Sequence, residues 1–389
     1  MAWEERTAEH MREEFVKRVL AKEQSKAALC REYGISRPTG DKWLQRYLEG
    51  DVLSDQSRAP HNQARRVTEA MEADIVQMRR KYPALGAAKI RKIMENEGYQ
   101  NLPSARTFNN IFHRYHLITK EASLAATPCK RFEMEAPNDM WQADFKGHFL
   151  MEDGVRCHPL NVLDDCSRFC LCTEALKSET LEDVKPVFQR LFQEYGMPIR
   201  LLCDNGNPWG TAQSMGYTAF EVWLMELGIL TMHGRPLHPQ TQGKEERYNR
   251  SFTRECLREN TFLDIVDSQK KFEEYRNFYN NTRPHNALDM KVPASVFQKS
   301  CRQFPEKIQE WEYSSEYQRC KVSATGYFSY GGQRYFLSVG FRGKVIGVRE
   351  SSLPGQITLI FREFRIGRID VDKRVYTLKR ANFLVNTQK

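Results

Sequence analysis

No stretch of this 389-residue chain approaches the roughly 18 consecutive apolar residues needed to cross a bilayer, so no membrane span is expected. The N-terminus, Met1-Ala2-Trp3-Glu4-Glu5-Arg6, lacks the basic start and apolar stretch of a secretory signal, which points to a cytosolic protein. Ten cysteines occur without a single Cys-x-x-Cys pair, which removes the common zinc and dithiol spacings. The closest pair, Cys170 and Cys172, would share one face of a strand, so reduced and mostly buried thiols are expected rather than disulfides or zinc. Internal repeats and low-complexity tracts are also missing, which excludes a solenoid or a linker-like chain.

What remains has globular composition, and its length is too great for one ordinary core, so two to four domains are expected. The net charge of +9 is unevenly spread: residues 1–130 carry +6, 131–300 carry −5 and 301–389 carry +8. An acidic middle that can concentrate carboxylates for metal, between basic flanks that can neutralise phosphates, suits an enzyme acting on nucleic acid.

Helical spacing of Met11, Phe15 and Val19 opens the chain, followed by caps at Ser25 and Ser36 and a helix whose apolar face is Trp43, Leu44, Tyr47 and Leu48. This is a helix-turn-helix pattern (residues 1–60), with Arg37, Thr39, Lys42 and Gln45 as candidate DNA contacts. A second such unit (61–120) has caps at Thr68 and Ser104 and a last helix whose polar side shows Arg106, Asn109, Asn110 and Arg114. Two units in tandem can cover successive stretches of one duplex. A connector follows at 121–138.

From residue 139 the period changes. Strands are expected at 140–150, 156–163 and 169–175, then alternating helices and strands at 181–195, 199–203, 217–227 and 229–232, and helices at 244–259 and 269–281. The expected architecture is a mixed α/β sheet with helices on both faces (139–300). Beyond it, short strands at 321–323, 327–330, 334–337, 344–348 and 357–361 suggest a small antiparallel barrel (301–389).

Three carboxylates stand out. Asp144 lies in the strand Trp141-Gln142-Ala143-Asp144-Phe145, Asp204 follows a strand in Cys203-Asp204-Asn205-Gly206, and Glu246 opens a helix after Gly243. Asp144 and Asp204 can meet only if their strands are neighbours, and a helix start beside them would also favour phosphate. Carboxylates so gathered repel unless cations lie between them, and without His or Cys the natural filler is a pair of Mg²⁺ ions, or Mn²⁺. Taken singly, each acid has a plainer reading as an edge residue, a turn former or a solvated ion pair. Asp164 and Asp165, in an expected hairpin turn, rank as rivals below Asp144, and Asp139 and Glu245 rank lower, one register away. Along the same helix Lys244, Arg247, Arg250, Arg254 and Arg258 could track a DNA backbone, the arginines forming one stripe, unless Glu255 and Glu259 pair with them.

At these residues the chain resembles bacterial insertion-sequence transposases of the DDE type, whose catalytic core is of the retroviral-integrase kind. The carriers are Gly34-Ile35-Ser36 with Trp43-Leu44, Pro103-Ser104-x-x-Thr107, Trp141 to Gly147, Leu163-Asp164-Asp165-Cys166-Ser167-Arg168, and Cys203 to Gly206. His238-Pro239-Gln240-Thr241-Gln242-Gly243-Lys244-x-Glu246-Arg247 and Tyr279-Asn280-x-x-Arg283-Pro284-His285 with Pro293 complete them. The resemblance implies a ribonuclease-H-like core, with Asp144, Asp204 and Glu246 as a metal-binding catalytic triad. It also implies N-terminal units that grip the ends of a mobile element, a DNA-binding C-terminal barrel, target DNA as second substrate and a homo-oligomer in the bacterial cytosol, associated with the nucleoid. Retroviral relatives carry a zinc-bound N-terminal domain; here His10, His61, His113, His116, Cys30 and Cys129 lack its spacing, so no zinc is expected. The Asp204 to Glu246 interval is longer than in retroviral integrases, a difference that residues 209–216 can absorb as a loop. A nuclease of the same fold without strand transfer, and a DNA-binding regulator that has lost catalysis, are the alternatives.

Overall fold

The computed structural model describes residues 8–55, 67–118, 134–210, 216–234, 243–378 and 381–384. The chain divides into two compact units, Met1–Arg66 and Val67–Lys389. The first holds three helices, α1 (Ala8–Leu20), α2 (Lys26–Glu32) and α3 (Arg37–Leu48). Ser25 caps α2 and Ser36 caps α3 by accepting the Ala28 and Thr39 amide hydrogens. Phe15, Leu29, Cys30 and Trp43 form the core. Gly40 makes this packing possible, because a Cβ there would lie 2.7 Å from Cys30 Sγ and 3.0 Å from Phe15 Cζ.

The second unit begins with another helical trio, α4 (Glu69–Lys81), α5 (Ala87–Asn96) and α6 (Ala105–Arg114), capped at Thr68 and Ser104 as expected. It does not stand alone. Tyr82 stacks on Phe278 at 5.1 Å, and Phe278 joins the trio's apolar core from the neighbouring domain.

The core domain is built on β1 (Met140–Phe145), β2 (Phe149–Leu150), β3 (Arg156–Asp164), β4 (Cys170–Leu176), β5 (Arg200–Cys203) and β6 (Leu230–His233). Sheet order is β2-β3-β1-β5-β6 with β4 also on β3. The β1–β3 and β3–β4 pairs are antiparallel, and β1–β5 and β5–β6 are parallel, the mixed sheet anticipated from the sequence. The single strand expected over 140–150 is two strands, broken at Gly147, whose φ of 89° suits glycine. Helix α7 (Leu181–Tyr195) buries Val184, Phe188, Leu191 and Phe192 on one face of the sheet, and α8 (Ala219–Glu226) joins it there through Phe220, Trp223 and Leu224. On the other face α9 (Gly243–Phe252) and α10 (Ile265–Asn281) pack through Tyr248, Phe252, Phe272 and Tyr279. The helix expected over 244–259 is α-helical only to Phe252 and continues as a π turn, Thr253–Leu257. α10 starts before the expected residue 269, because Asp264 accepts the amide hydrogens of Val266 and Asp267 and so caps it.

The Tyr279-Asn280-x-x-Arg283-Pro284-His285 motif fastens this layer. The Asn280 side chain accepts from the Cys170 amide and donates to its carbonyl, each at 2.9 Å, while Arg283 grips Glu255 at 2.7 and 2.8 Å. Glu255 is thereby occupied with Arg283 and not with the arginine stripe.

The C-terminal region has β7 (Gln318–Lys321), β8 (Tyr327–Tyr330), β9 (Gln333–Phe336), β10 (Val345–Glu350), β11 (Gln356–Phe361), β12 (Phe364–Asp370), β13 (Val375–Leu378) and β14 (Asn382–Phe383). Its hydrogen-bonded order is β13-β12-β11-β10-β7, with β14 on β12 and a separate β8–β9 hairpin, so among the described residues the ladder is an antiparallel sheet plus hairpin, without the closure of the expected barrel. Strand β12 has no clean apolar alternation because Arg365 and Arg368 interrupt it, and β13 and β14 are only four and two residues long. This sheet shares a core with Val222, Met225 and Leu230 of the central domain.

No helix among the described residues is long and apolar enough to cross a membrane. Nine described cysteines are free, seven of them buried, Cys170 and Cys172 included.

His285 carries a stability consequence. Its ring packs edge-on against Tyr279 at 4.6 Å, and its Nε2 is buried without a partner. Burial, followed by the charges of Arg283, Lys89 and Arg168, pushes its pKa down to about 2. The unfolded chain takes up a proton below about 6.5 that the folded chain refuses, so stability is full above that value and falls as the pH drops. Denaturant titrations should show a loss of about 2 kcal/mol between pH 6.5 and 5 from this group, absent in His285→Gln.

Candidate active site

Pairing of β1 with β5 in parallel aligns Gln142 with Leu202, so Asp144 and Asp204, each two residues further on, reach the same end of neighbouring strands. This meets the condition the sequence imposed on them. The Asp144 Oδ2 accepts a 2.9 Å hydrogen bond from the Asn249 side chain of α9, and Asn249 Oδ1 in turn accepts from Asn161 on β3 at 2.7 Å. Burial, then the charge of Asp204, raises the Asp144 pKa to about 6, against the opposing effects of Asn249 and Lys146.

Asp204 is braced from behind. Its Oδ1 accepts the Gly206 amide hydrogen at 2.9 Å, and a Cβ on Gly206 would lie 3.2 Å from Oδ2, which explains the glycine after Asn205. The Asp204 carbonyl accepts from His233 Nδ1 at 2.7 Å, and His233 Nε2 meets Glu221 Oε1 at 3.0 Å. Glu221 Oε2 also accepts the Thr218 amide hydrogen, closing the capping box of α8. Burial opposes a charge on His233, but Glu221 and the Asp204 carbonyl outweigh it and raise its pKa.

At the start of α9 successive residues point differently. Glu246 is exposed. Glu245, ranked low from the sequence, is 1 % exposed, with both carboxylate oxygens buried and without a hydrogen-bond partner. Burial, then repulsion from Asp144, Asp204 and Asp165, pushes its pKa well above the usual carboxylate range. Among the described residues no three His, Cys, Asp or Glu side chains converge closely enough to hold one ion. The donor set of Asp144, Asp204 and Glu246 is all oxygen, chemistry that suits a hard divalent cation and not zinc. The run His238–Gln242 and residues 211–215 of the expected loop lie outside the described residues.

Sequence reading missed a clasp. Buried Asp165 accepts from Gln142 Nε2 and Lys244 Nζ, each at 2.5 Å, and from the Met134 amide at 2.8 Å. It thus ties β1, two residues before Asp144, to the first turn of α9. Asp164 does serve the turn, accepting the Ser167 amide and hydroxyl hydrogens and the Asn138 amide. Both acids are 1 % exposed, and the partners that distinguish them have no signal in a Leu-Asp-Asp-Cys string.

The other candidate DNA contacts are on surfaces. Arg37, Lys42 and Gln45 are exposed along α3, and Thr39, half-buried, shares its hydroxyl with Ser36 at 2.8 Å. Arg106, Asn109 and Arg114 are exposed on α6, and Arg114 pairs with Glu72 at 2.6 Å. Arg247, Arg250, Arg254 and Arg258 are exposed, and the π turn shifts the last two out of the straight α-helical stripe. Lys244 differs, since its ammonium is turned inward to Asp165.

Models of the integrase core domain match residues 134–239 and 227–293; a homeodomain-like model matches 39–112, a helix-turn-helix model 11–61, and the IS481 family transposase C-terminal domain 318–377. Together these matches support an insertion-sequence DDE transposase. An uncharacterized 39.2 kDa protein of insertion element IS476 from Xanthomonas euvesicatoria is 24% identical over 58% of this chain and 64% of its own length. A protein of Geobacillus stearothermophilus, named as a transposase for insertion sequence element IS5376, is 26% identical over 50% of each. The chain therefore spans between half and two thirds of the length of these two relatives. The HTLV-2 integrase catalytic core domain, solved in complex with magnesium, superposes with a TM-score of 0.33 at 17% identity, covering 42% of this chain and 99% of that chain.

The clasp predicts a measurable coupling. Asp165→Ala removes the carboxylate from the Lys244 ammonium and leaves it the residue 165 carbonyl at 3.2 Å, and should cost about 3–5 kcal/mol of unfolding free energy. Lys244→Ala should also destabilise, and the double variant should lose clearly less than the sum of the two.

Proposed function

We propose that the protein binds the two ends of a mobile DNA element, cleaves a strand to free a 3′-hydroxyl, and joins that hydroxyl to target DNA. The observation that carries this reading is the alignment of Asp144 and Asp204 on adjacent parallel strands, beneath the helix start that bears Glu245 and Glu246. Asp144, Asp204 and Glu246 would hold two Mg²⁺ ions, with Mn²⁺ as a substitute. Bound there, such ions supply activation of water or a 3′-hydroxyl and stabilisation of the leaving oxygen in an in-line displacement.

The chain's own groups prepare that chemistry. Asn249 orients the Asp144 carboxylate, and His233 with Glu221 fixes the backbone under Asp204, so neither acid has to be reorganised when DNA arrives. Helices α3 and α6 would read element ends through Arg37, Thr39, Lys42, Gln45, Arg106, Asn109 and Arg114. Arg247, Arg250, Arg254 and Arg258 would follow the backbone near the cut, where their exposure favours phosphate contact. Because two ends must be joined, the working form is a homo-oligomer, acting in the bacterial cytosol on nucleoid DNA.

Purified protein, a pre-cut element end and a target plasmid separate this reading from its rivals. Joined products are expected with Mg²⁺ and are expected to fall at least about 100-fold in Asp144→Asn, Asp204→Asn or Glu246→Gln. Hydrolysis without joining would favour a nuclease. DNA binding alone, unaffected by those substitutions, would favour a regulator.

A further inference from the structure

We infer that the β8–β9 hairpin and the neighbouring strand β7 form a site for single-stranded DNA, in which Tyr327 stacks an unpaired base and Arg319, Lys321, Arg334 and Arg342 hold the phosphates beside it. The inference deepens the proposed action on DNA and rests on that reading, but not on the cation site.

Strand alternation explains how one surface comes to carry these groups. In β7, Cys320 is buried and its neighbours Arg319 and Lys321 are exposed on the opposite face. The hairpin turns at Gly331 and Gly332, with φ of 56° and 75°, and sends Phe328 and Tyr335 into the core, where they stack at 5.6 Å. Tyr327, Ser329, Arg334 and Phe336 are thereby left on its outer face. Cys320 Sγ donates to the Ser329 carbonyl at 3.2 Å and so holds β7 against the hairpin. Between them runs a groove of about 560 Å³, lined by Arg319, Lys321, Tyr327, Ser329, Arg334 and Arg342.

Charge in this groove is one-sided. From Gln318 to Lys344 the chain has five basic residues and no acidic one. Lys344 is paired with Glu226 at 2.7 Å, and Arg349 further along is paired with Glu316 at 2.5 Å. Arg319, Lys321, Arg334 and Arg342, in contrast, form no ion pair among the described residues. Cations gathered without counter-charge call for an anion from outside the chain, and a phosphate backbone supplies one at every nucleotide.

The aromatic rings decide which form of DNA fits. Tyr327 and Phe336 are register partners whose rings meet at 5.2 Å, yet they are 38% and 36% exposed. Such a pair stabilises a hairpin by itself, but it gives no reason for the cations around it. The Arg334 guanidinium lies 5.1 Å from the Tyr327 ring centre and offers its outer plane to a further flat group. Phosphates do not cover ring faces, whereas unstacked bases do, on aromatic rings and on guanidinium planes alike. In a duplex those base faces are already covered by stacking. Open rings among uncompensated cations therefore fit unpaired nucleotides better than a duplex.

The test is fluorescence anisotropy of a short labelled oligothymidylate, and of a duplex of the same length, titrated with the full chain in chelator. Tyr327→Ala is expected to weaken oligothymidylate binding at least about 5-fold and to leave duplex affinity unchanged. Tyr327→Phe, which keeps the ring, is expected to bind the oligothymidylate as the unaltered protein does. Arg319→Gln combined with Lys321→Gln is expected to lower the slope of log affinity against log salt by about 1.4, which is about 0.7 for each lost phosphate contact. Irradiating the unaltered protein with an oligonucleotide that carries 5-iodouracil is expected to cross-link Tyr327, a readout that needs no substitution in the fold. Unchanged oligothymidylate affinity in Tyr327→Ala, or cross-links that fall only outside the β8–β9 hairpin, would overturn the site. Equal losses for single strand and duplex would overturn its preference for unpaired bases. Failure of the unaltered protein to bind either form would overturn the reading of the chain as a DNA-acting protein, and this site with it.

Discussion

Two like charges set side by side by parallel strand pairing are the constraint around which the core is arranged. Register between β1 and β5 leaves Asp144 and Asp204 no choice of neighbour. The surrounding groups then limit the damage: Asn249 donates to one carboxylate, the Gly206 amide to the other, and Lys146 adds a nearby positive charge. None of these neutralises the pair. The fold holds its acids in a state that an incoming cation improves, an arrangement common at functional sites and rare in structural cores.

Much of this was legible in the residues themselves. Ser25, Ser36, Thr68 and Ser104 were each read as caps, and each accepts the amide hydrogen expected of a cap, because capping is a local rule that tertiary context seldom overturns. The bounds of α7 were readable to the residue, since its apolar spacing is strong. Adjacency of β1 and β5 could only be posed as a condition, because strand order is a non-local property.

Other elements escaped. The π turn after Phe252 and the strand break at Gly147 depend on backbone geometry that periodicity does not encode, whereas the start of α10 is set by a cap, Asp264, that apolar spacing alone passes over. The late strand β12 carries Arg365 and Arg368 among its apolar residues, and β13 is only four residues long. Orientation within the first turn of α9 escaped too: Lys244, Glu245 and Glu246 are three charged residues in a row, and only packing against Asp165 on one side and solvent on the other tells them apart. Several motif residues turn out to serve architecture, as with Asn280 against Cys170 and Arg283 against Glu255.

Helix α8 belongs to two parts of the molecule at once. Through Glu221 and His233 it steadies the backbone of Asp204, while Val222 and Met225 on its flank lie in the core of the C-terminal sheet. Tyr217, just before the helix, reaches that sheet through the Ile366 carbonyl, and Glu226 at its far end holds Lys344. Cutting the chain near residue 300 would therefore strip an apolar flank from the very helix that steadies Asp204, and a core fragment prepared that way would be a damaged fold and not a smaller one.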